Sequence, residues 1–229
     1  MSMTPADQDR IARAVAEAER RTAGEIYCVL APRVSEYREV PLAWAAALAL
    51  TLPALALLLG LAPDSLSAVF GGWSIGHGST DQIVLGALAV YIVLQAVTFA
   101  LVWLVVAIPP VRRFMTPGPL KAERVRRAAL DQFLSHGLHL TRERTGVLIF
   151  AALHEHRAEV VADEGIYAAA PAEVWVEVVG LLTAGLRAGR AAEGFEAAIR
   201  RSGEILAAHV PPRSDNPNEL SDRIVILEG

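Results

Sequence analysis

The chain has 229 residues, a formal net charge of −4 and a composition that is 53% hydrophobic. This weakly acidic balance argues against nucleic acid as a main partner. The single cysteine, Cys28, excludes an internal disulfide and a zinc site built from cysteines.

Residues 1–38 predict a helix followed by a strand. Thr4 and Pro5 suit the N-cap and the first position of a helix, and Asp7 adds a carboxylate to its first turn. We expect this helix to end at Gly24. Residues 25–30, EIYCVL, have the β-branched, aromatic and apolar content of a strand. This segment is therefore expected to be the first part of an α/β domain.

Two long apolar runs follow, at about 40–62 and 83–108, and neither contains Asp, Glu, Lys, Arg or His. A bilayer core of about 30 Å needs roughly 20 apolar residues in a helix, and both runs exceed that length. The alternative is a pair of core helices in a soluble protein, but such helices carry a polar stripe toward water. We therefore expect residues 39–109 to form a transmembrane helical hairpin in the lipid bilayer.

Basic residues predict the orientation of this hairpin. The connector at 63–82 has no Lys or Arg, whereas the outer flanks hold Arg33, Arg38, Arg112, Arg113, Lys121, Arg124, Arg126 and Arg127. Positively charged flanks stay in the cytoplasm. We expect a multi-pass protein of the bacterial inner membrane, with both termini cytoplasmic and the connector on the other side.

Residues 110–229 predict the second part of the α/β domain. A helix is expected at about 120–135, and its basic side either contacts anionic headgroups or is solvated. A central strand at 145–153 is expected to be followed by its antiparallel return at 158–162. Two helices at 171–188 and 193–209 come next, and residues 224–227 form an edge strand or a cover over the core.

The segments TAGEIYCVL and RTGVLIFAALHEHRAEVVADEGI, with the helices around Trp175 and Gly194-Phe195, resemble the TPM domain family. The two-span insertion resembles a bacterial membrane subgroup of that family, which is named for a thylakoid lumen protein, a photosystem II repair factor and a nematode receptor accessory protein. The resemblance implies an α/β/α sandwich with a small mixed sheet, interrupted here by the hairpin. It also implies acid phosphatase activity and calcium binding, as in plant members, or an accessory role without known catalysis.

Strand direction predicts where the functional residues meet. A strand–crossover–strand connection leaves its two strands parallel, so the first two strands should run in the same sense and the return strand against them. Three distant points of the chain then share one edge of the sheet, which we expect to point away from the membrane. The candidate ligand or metal residues at this edge are Glu25, Arg142, Arg144, Thr145, Asp163 and Glu164.

These residue types suit two kinds of chemistry. Carboxylate oxygens are the ligands that Ca²⁺ and Mg²⁺ prefer, and arginines grip phosphate. Compared with the family pattern, Thr145 stands where an acidic or amide residue is typical, and Asp163-Glu164-Gly165 replaces a glycine-rich segment. Three interpretations stay open: a solvated cluster of strand-end charges that balance one another, a ligand or partner site, and a metal-dependent phosphatase.

Two functions of different class follow. The first is a membrane-anchored binding or accessory factor for a membrane protein partner or complex. The second is a phosphatase of broad specificity that uses Ca²⁺ or Mg²⁺. Other motifs are weaker: the turn at 154–156, HEH, has Ala158 where a zinc-binding HExxH helix needs histidine, and the glycine-rich stretch 71–78 lacks the lysine of a phosphate-binding loop.

The orientation is testable by labelling. A membrane-impermeant thiol reagent added from outside the inner membrane should modify a single cysteine introduced in the 63–82 connector, because that connector is expected on the outer side. Labelling of the same cysteine from the cytoplasmic side alone would reverse the assignment.

Overall fold

The computed structural model describes residues 3–59, 80–171, 173–213, 215 and 217–228. The chain divides into two compact units: an α/β unit of Met1–Glu36 and Gly118–Gly229, and a helical unit of Tyr37–Pro117. The helical unit ends at Pro117, eight residues after the expected end of the hairpin at residue 109, because the short helix Pro109–Met115 belongs to it.

In chain order the elements are α1 (Pro5–Glu19), β1 (Glu25–Ala31), α2 (Glu39–Leu58), α3 (Thr80–Ala107), α4 (Pro109–Met115), α5 (Gly118–Ser135), a 3₁₀ turn (Leu138–Leu140), β2 (Gly146–Ala152), β3 (Arg157–Ala162), α6 (Glu164–Ala169), α7 (Val174–Arg187), α8 (Ala191–His209) and β4 (Val225–Ile226). Two short helices, α4 and α6, were not expected from the sequence. Most of the expected connector, including the glycine-rich stretch, lies outside the described residues.

The sheet has the strand order β3-β2-β1-β4. β1 and β2 are parallel, with Glu25 opposite Gly146, and β3 runs antiparallel to β2, with Ala162 opposite Val147. The expected strand directions are therefore confirmed. β4 pairs in parallel with β1, so the apolar run at 224–227 supplies an edge strand.

Side chains alternate between the two faces of the sheet, and helices cover both. All seven residues of β1 and all seven of β2 are buried. One face packs against α1, α7 and α8, through side chains that include Ile26 and Ile149. The other packs against α5, through Leu148 and Phe150. The unit is thus an α/β fold in which a small mixed sheet lies between helical layers.

The first helix begins as expected and ends earlier. Thr4 accepts a hydrogen bond from the Asp7 backbone N–H, and the Asp7 carboxylate accepts from Thr4 in return, which forms a capping box. The expected end at Gly24 is wrong, because α1 ends at Glu19. Gly24 serves a packing purpose instead: a Cβ there would lie 3.0 Å from a methyl carbon of Leu206.

The helical unit consists mainly of α2 and α3, which pack against each other. The side of α2 that is buried presents a residue at every fourth position: Pro41, Ala45, Ala49 and Pro53. Both helices are long and apolar enough to cross a bilayer, by length and composition. Only 28% of the most apolar stretch of α2 and 6% of that of α3 are buried inside the protein, whereas the core helix of a soluble protein is mostly buried.

Two glycines of α7 give a matched test of the packing between α7 and α8. A Cβ on Gly185 would lie 2.5 Å from the Cα of Gly194, whereas a Cβ on Gly180 would meet no atom within 4 Å. We expect Gly185→Ala to lower the free energy of unfolding by about 1–3 kcal/mol, because the helices must separate. Gly180→Ala should raise it by up to about 1 kcal/mol, since alanine favours the helix.

Chemical denaturation of the purified full chain in detergent would measure both variants. Equal stability of the two variants would contradict the close approach of α7 and α8.

Candidate functional site

Three segments meet at one end of the sheet, which we call the rim: residues 22–25, 141–146 and 162–165. The backbone N–H of Glu25 donates to the Thr145 carbonyl at 3.1 Å, and that of Asp163 donates to the Gly146 carbonyl at 2.9 Å. The six candidate residues therefore lie on segments that the fold brings together. Their side chains form separate groups within the rim.

Arg144 joins the two carboxylates that follow β3. Its Nη1 lies 2.7 Å from Glu164 Oε2, and its Nε lies 3.7 Å from Asp163 Oδ1. Asp163 Oδ1 also accepts the backbone N–H of Glu164 at 2.7 Å, which caps α6. Asp163 Oδ2 is buried and has no hydrogen-bond partner among the described residues. The group thus combines one exposed guanidinium with a buried carboxylate whose second oxygen is unused.

The backbone around Arg144 is held in an uncommon conformation. Arg144 has φ of 55°, in the left-handed region that side chains other than glycine rarely adopt. The Gly165 N–H donates to the Arg144 carbonyl at 3.1 Å, and a Cβ on Gly165 would lie 2.7 Å from that oxygen. The Asp163-Glu164-Gly165 segment therefore closes directly onto the loop that carries Arg144.

Glu25 does not join this group, because its side chain is buried at the start of β1. Glu25 is only 3% exposed, and its Oε2 accepts the Leu220 backbone N–H at 3.2 Å. Burial raises the pKa of Glu25, although the backbone N–H groups of Leu220 and Glu219 oppose that shift. The interpretation of the rim as a solvated cluster of charges is therefore wrong for Glu25 and for Asp163, which is 5% exposed.

A second buried carboxyl, that of Glu19, lies near Glu25. Glu19 was not predicted from the sequence as a site residue. Its Oε1 accepts the Ile26 backbone N–H at 2.7 Å, and the residue is 9% exposed. Burial, followed by the nearby carboxylates of Glu25 and Asp222, raises the pKa of Glu19 to about 8, against the Ile26 hydrogen bond. Spacing was the available signal, because Glu19 lies four residues after the buried Val15 and so falls on the apolar face of α1.

Arg142 faces the C-terminal tail instead of Arg144 and Asp163. Its backbone N–H donates to Glu219 Oε2 at 2.9 Å, and its Nη1 lies 3.4 Å from Asp215 Oδ2. The neighbouring Glu143 pairs with Arg213. These contacts of the tail were not identified from the sequence. They fix the tail across the rim.

Thr145 has a structural role at the centre of the rim. Its hydroxyl donates to the Ala23 carbonyl at 3.0 Å, and its backbone N–H donates to the Thr141 hydroxyl at 3.0 Å. The side chain is 5% exposed. Thr145 therefore links the loop before β2 to the loop before β1, and its hydroxyl proton is used in the hydrogen bond to Ala23.

The family resemblance implies a hard cation at this edge, and the arrangement of side chains does not fit one. The cationic group between Asp163 and Glu164 is the Arg144 guanidinium. Across the described ranges, no group of three or more His, Cys, Asp or Glu side chains is placed to hold a metal ion. The turn at 154–156 lies at the other end of the sheet, between β2 and β3.

Comparisons with known proteins support the fold alone. No protein-family model matches the chain, and no curated protein matches it. The structure is similar to the NMR structure of the BA42 protein from the psychrophilic bacterium Bizionia argentinensis, with a TM-score of 0.55 and 16% sequence identity over 99% of this chain and 96% of that one. The resemblance to the TPM family stays a prediction.

The buried Glu19 predicts a pH-dependent stability. Because its pKa rises from an ordinary 4.5 to about 8 on folding, the folded chain keeps a proton that the unfolded chain releases between these values. Stability should therefore fall as pH rises from about 4.5 to about 8. Glu19→Gln should flatten this fall and be more stable than the wild type at pH 8, since glutamine keeps the acceptor for Ile26.

Denaturation midpoints measured between pH 5 and 9 would show the difference. Glu17→Gln, an exposed position on the same helix, serves as the control and should leave the slope unchanged. A Glu19→Gln variant with the wild-type slope would contradict the buried, protonated carboxyl.

Proposed function

We propose that this protein is a membrane-anchored, TPM-like α/β domain that acts as a binding or accessory factor for a membrane protein partner or complex. The observation that carries the proposal is the apolar surface of the helical unit. Large aliphatic side chains of α2 and α3 are exposed, including Leu50 at 63% and Leu85 at 64%. A lipid bilayer stabilises such a surface, whereas exposure to water would favour aggregation.

Charge supports one orientation in a bacterial inner membrane. Arg33 and Arg38 precede α2, and Arg112 and Arg113 follow α3. Basic flanks remain cytoplasmic, so both parts of the α/β unit would lie in the cytoplasm and the connector outside. Trp44 donates its indole N–H to the Met115 carbonyl at 3.0 Å, and amphipathic indole rings favour the headgroup level.

The rim supports binding more than catalysis. Its buried polar groups already serve the fold: Thr145 bonds to Ala23, and Glu25 bonds to the tail. The charges left at the surface are the ends of paired side chains, with Arg142 61%, Arg144 55% and Glu164 75% exposed. Such a mixed-charge surface offers a partner protein complementary ion pairs and fixes the register of docking.

One observation favours the second function, a phosphatase of broad specificity. The unused Oδ2 of Asp163 lies beside an exposed guanidinium, since Arg144 Nε is 3.7 Å from the other carboxylate oxygen. An arginine grips a phosphoryl group, and a carboxylate with a free oxygen can accept a proton. This pair is the part of the rim on which turnover would depend.

Site-specific photo-crosslinking in native membranes tests the accessory role. A photoreactive amino acid in place of Arg142 or Arg144 should give discrete adducts of higher mass, because the rim is expected to face the partner. The matched control is Arg190, an exposed arginine beside Leu30 and Leu153, at the other end of the sheet. Adducts from position 190 and none from the rim would contradict a partner site at the rim.

A generic phosphomonoester offered to the purified full chain, with and without Ca²⁺ or Mg²⁺, separates the two functions. The accessory role predicts no turnover under any of these conditions. Turnover that Asp163→Asn abolishes, and that the control Asp131→Asn on α5 leaves intact, would favour the phosphatase.

A further inference from the structure

A single glutamine lies at the middle of the apolar stretch of α3. That stretch is Val84–Ala107, 24 residues long, and Gln95 stands 11 residues after its first residue and 12 before its last. Gln95 is the only residue in the stretch with a side-chain amide. In the proposed transmembrane arrangement, on which this inference rests, Gln95 therefore lies near the bilayer midplane.

The hydrogen-bonding capacity of this amide is mostly unused. A glutamine amide offers two N–H donors and one carbonyl acceptor. Gln95 Nε2 donates to the hydroxyl of Tyr91, one turn earlier, at 3.3 Å. Within the described part of the chain, Gln95 makes no other side-chain hydrogen bond, so one N–H and the carbonyl oxygen remain unpaired.

Among the described residues, α2, the helix that packs against α3, supplies no hydrogen-bond partner for the rest of the Gln95 amide. The apolar part of α2 contains one residue with a hydroxyl group, Thr51, and that hydroxyl donates to the Ala47 carbonyl at 2.8 Å. Among the described contacts, none joins Thr51 to Gln95. A polar group in hydrocarbon cannot turn to water, so an unpaired amide at this depth favours association with another polar group.

A second copy of the chain supplies a matching group at the right depth. Every copy inserts with the same orientation, so Gln95 of each lies at the same level of the bilayer. The amide is both donor and acceptor, and two amides can therefore donate to each other reciprocally. The neighbouring surface also permits close approach, because the small Ala96 is exposed beside Gln95, with the apolar Ile92 and Phe99 exposed around it.

We propose that the protein forms a two-fold symmetric dimer in the membrane, in which the side-chain amides of Gln95 from two parallel α3 helices hydrogen-bond to each other. The occupant of this surface is a second copy of the chain. Hydrogen bonds between membrane helices contribute modestly, so Gln95 fixes where the two helices meet and adds to the strength of the dimer, while packing of apolar side chains supplies the remaining free energy.

The full chain, labelled at its C-terminus with donor or acceptor dyes and reconstituted into phosphatidylcholine vesicles, tests the proposal by energy transfer. Dilution of the protein with lipid gives an apparent dissociation constant. We expect the wild type to dimerise and Gln95→Leu to weaken the dimer by on the order of tenfold. Gln95→Asn, which keeps the amide, should recover part of the loss.

The control is Val97→Ala, which trims an exposed apolar side chain on the opposite face of the same helix and should change the constant less than about twofold. A wild type that floats with the vesicles and stays monomeric at every protein-to-lipid ratio would overturn the dimer alone. Dimers of unchanged strength in Gln95→Leu would also overturn the proposed contact. A chain that fails to float with the vesicles would overturn both the dimer and the membrane anchor.

Discussion

The parallel pairing of β1 with β2 is the interaction on which the rest of the α/β unit depends. Each strand is buried along its whole length, so the pair supplies apolar side chains to both helical layers at once. The two strands come from parts of the chain that the helical unit separates. Loop-closure entropy grows only slowly with length, and an insertion that folds on itself adds little to that cost. This is how a sheet of four strands accommodates an insertion of such length.

The same pairing explains why acidic residues become buried at the rim. Register sets Glu25 opposite Gly146, and the fully buried strand leaves Glu25 no route to water. Glu19 lies beside the start of this strand, where its carboxylate accepts the backbone N–H of Ile26. Burial disfavours the ionised form of both carboxyls and is the main cause of their raised pKa values, and neighbouring carboxylates add to the shift. The exposed charges of the rim are therefore carried by the loop before β2 and by the start of α6, at Arg142, Arg144 and Glu164.

Sequence patterns were sufficient for the long helices and the strands, and insufficient for the short helices α4 and α6 and for the contacts of the site. Continuous apolar runs identified β1 and β2, and the crossover rule gave their direction, because both depend on short-range composition and general geometry. The separate partners of Arg142 and Arg144 depend on a left-handed backbone at Arg144 and on a polar tail without periodicity. Neither leaves a signal in a single sequence. The burial of Glu19 did leave one, in its spacing from Val15.

The two units differ in their exposure to solvent: the α/β unit buries most of its apolar side chains, whereas the helical unit leaves most of its large apolar side chains exposed. The proposed bilayer around α2 and α3 would reconcile the two within one chain. Alkaline extraction of membranes that contain the full chain distinguishes an integral hairpin from a peripheral or soluble chain. With α2 and α3 across the bilayer, the chain should stay with the lipid pellet, as integral proteins do. Recovery of the chain as a monodisperse protein in the aqueous fraction, without detergent, would contradict it.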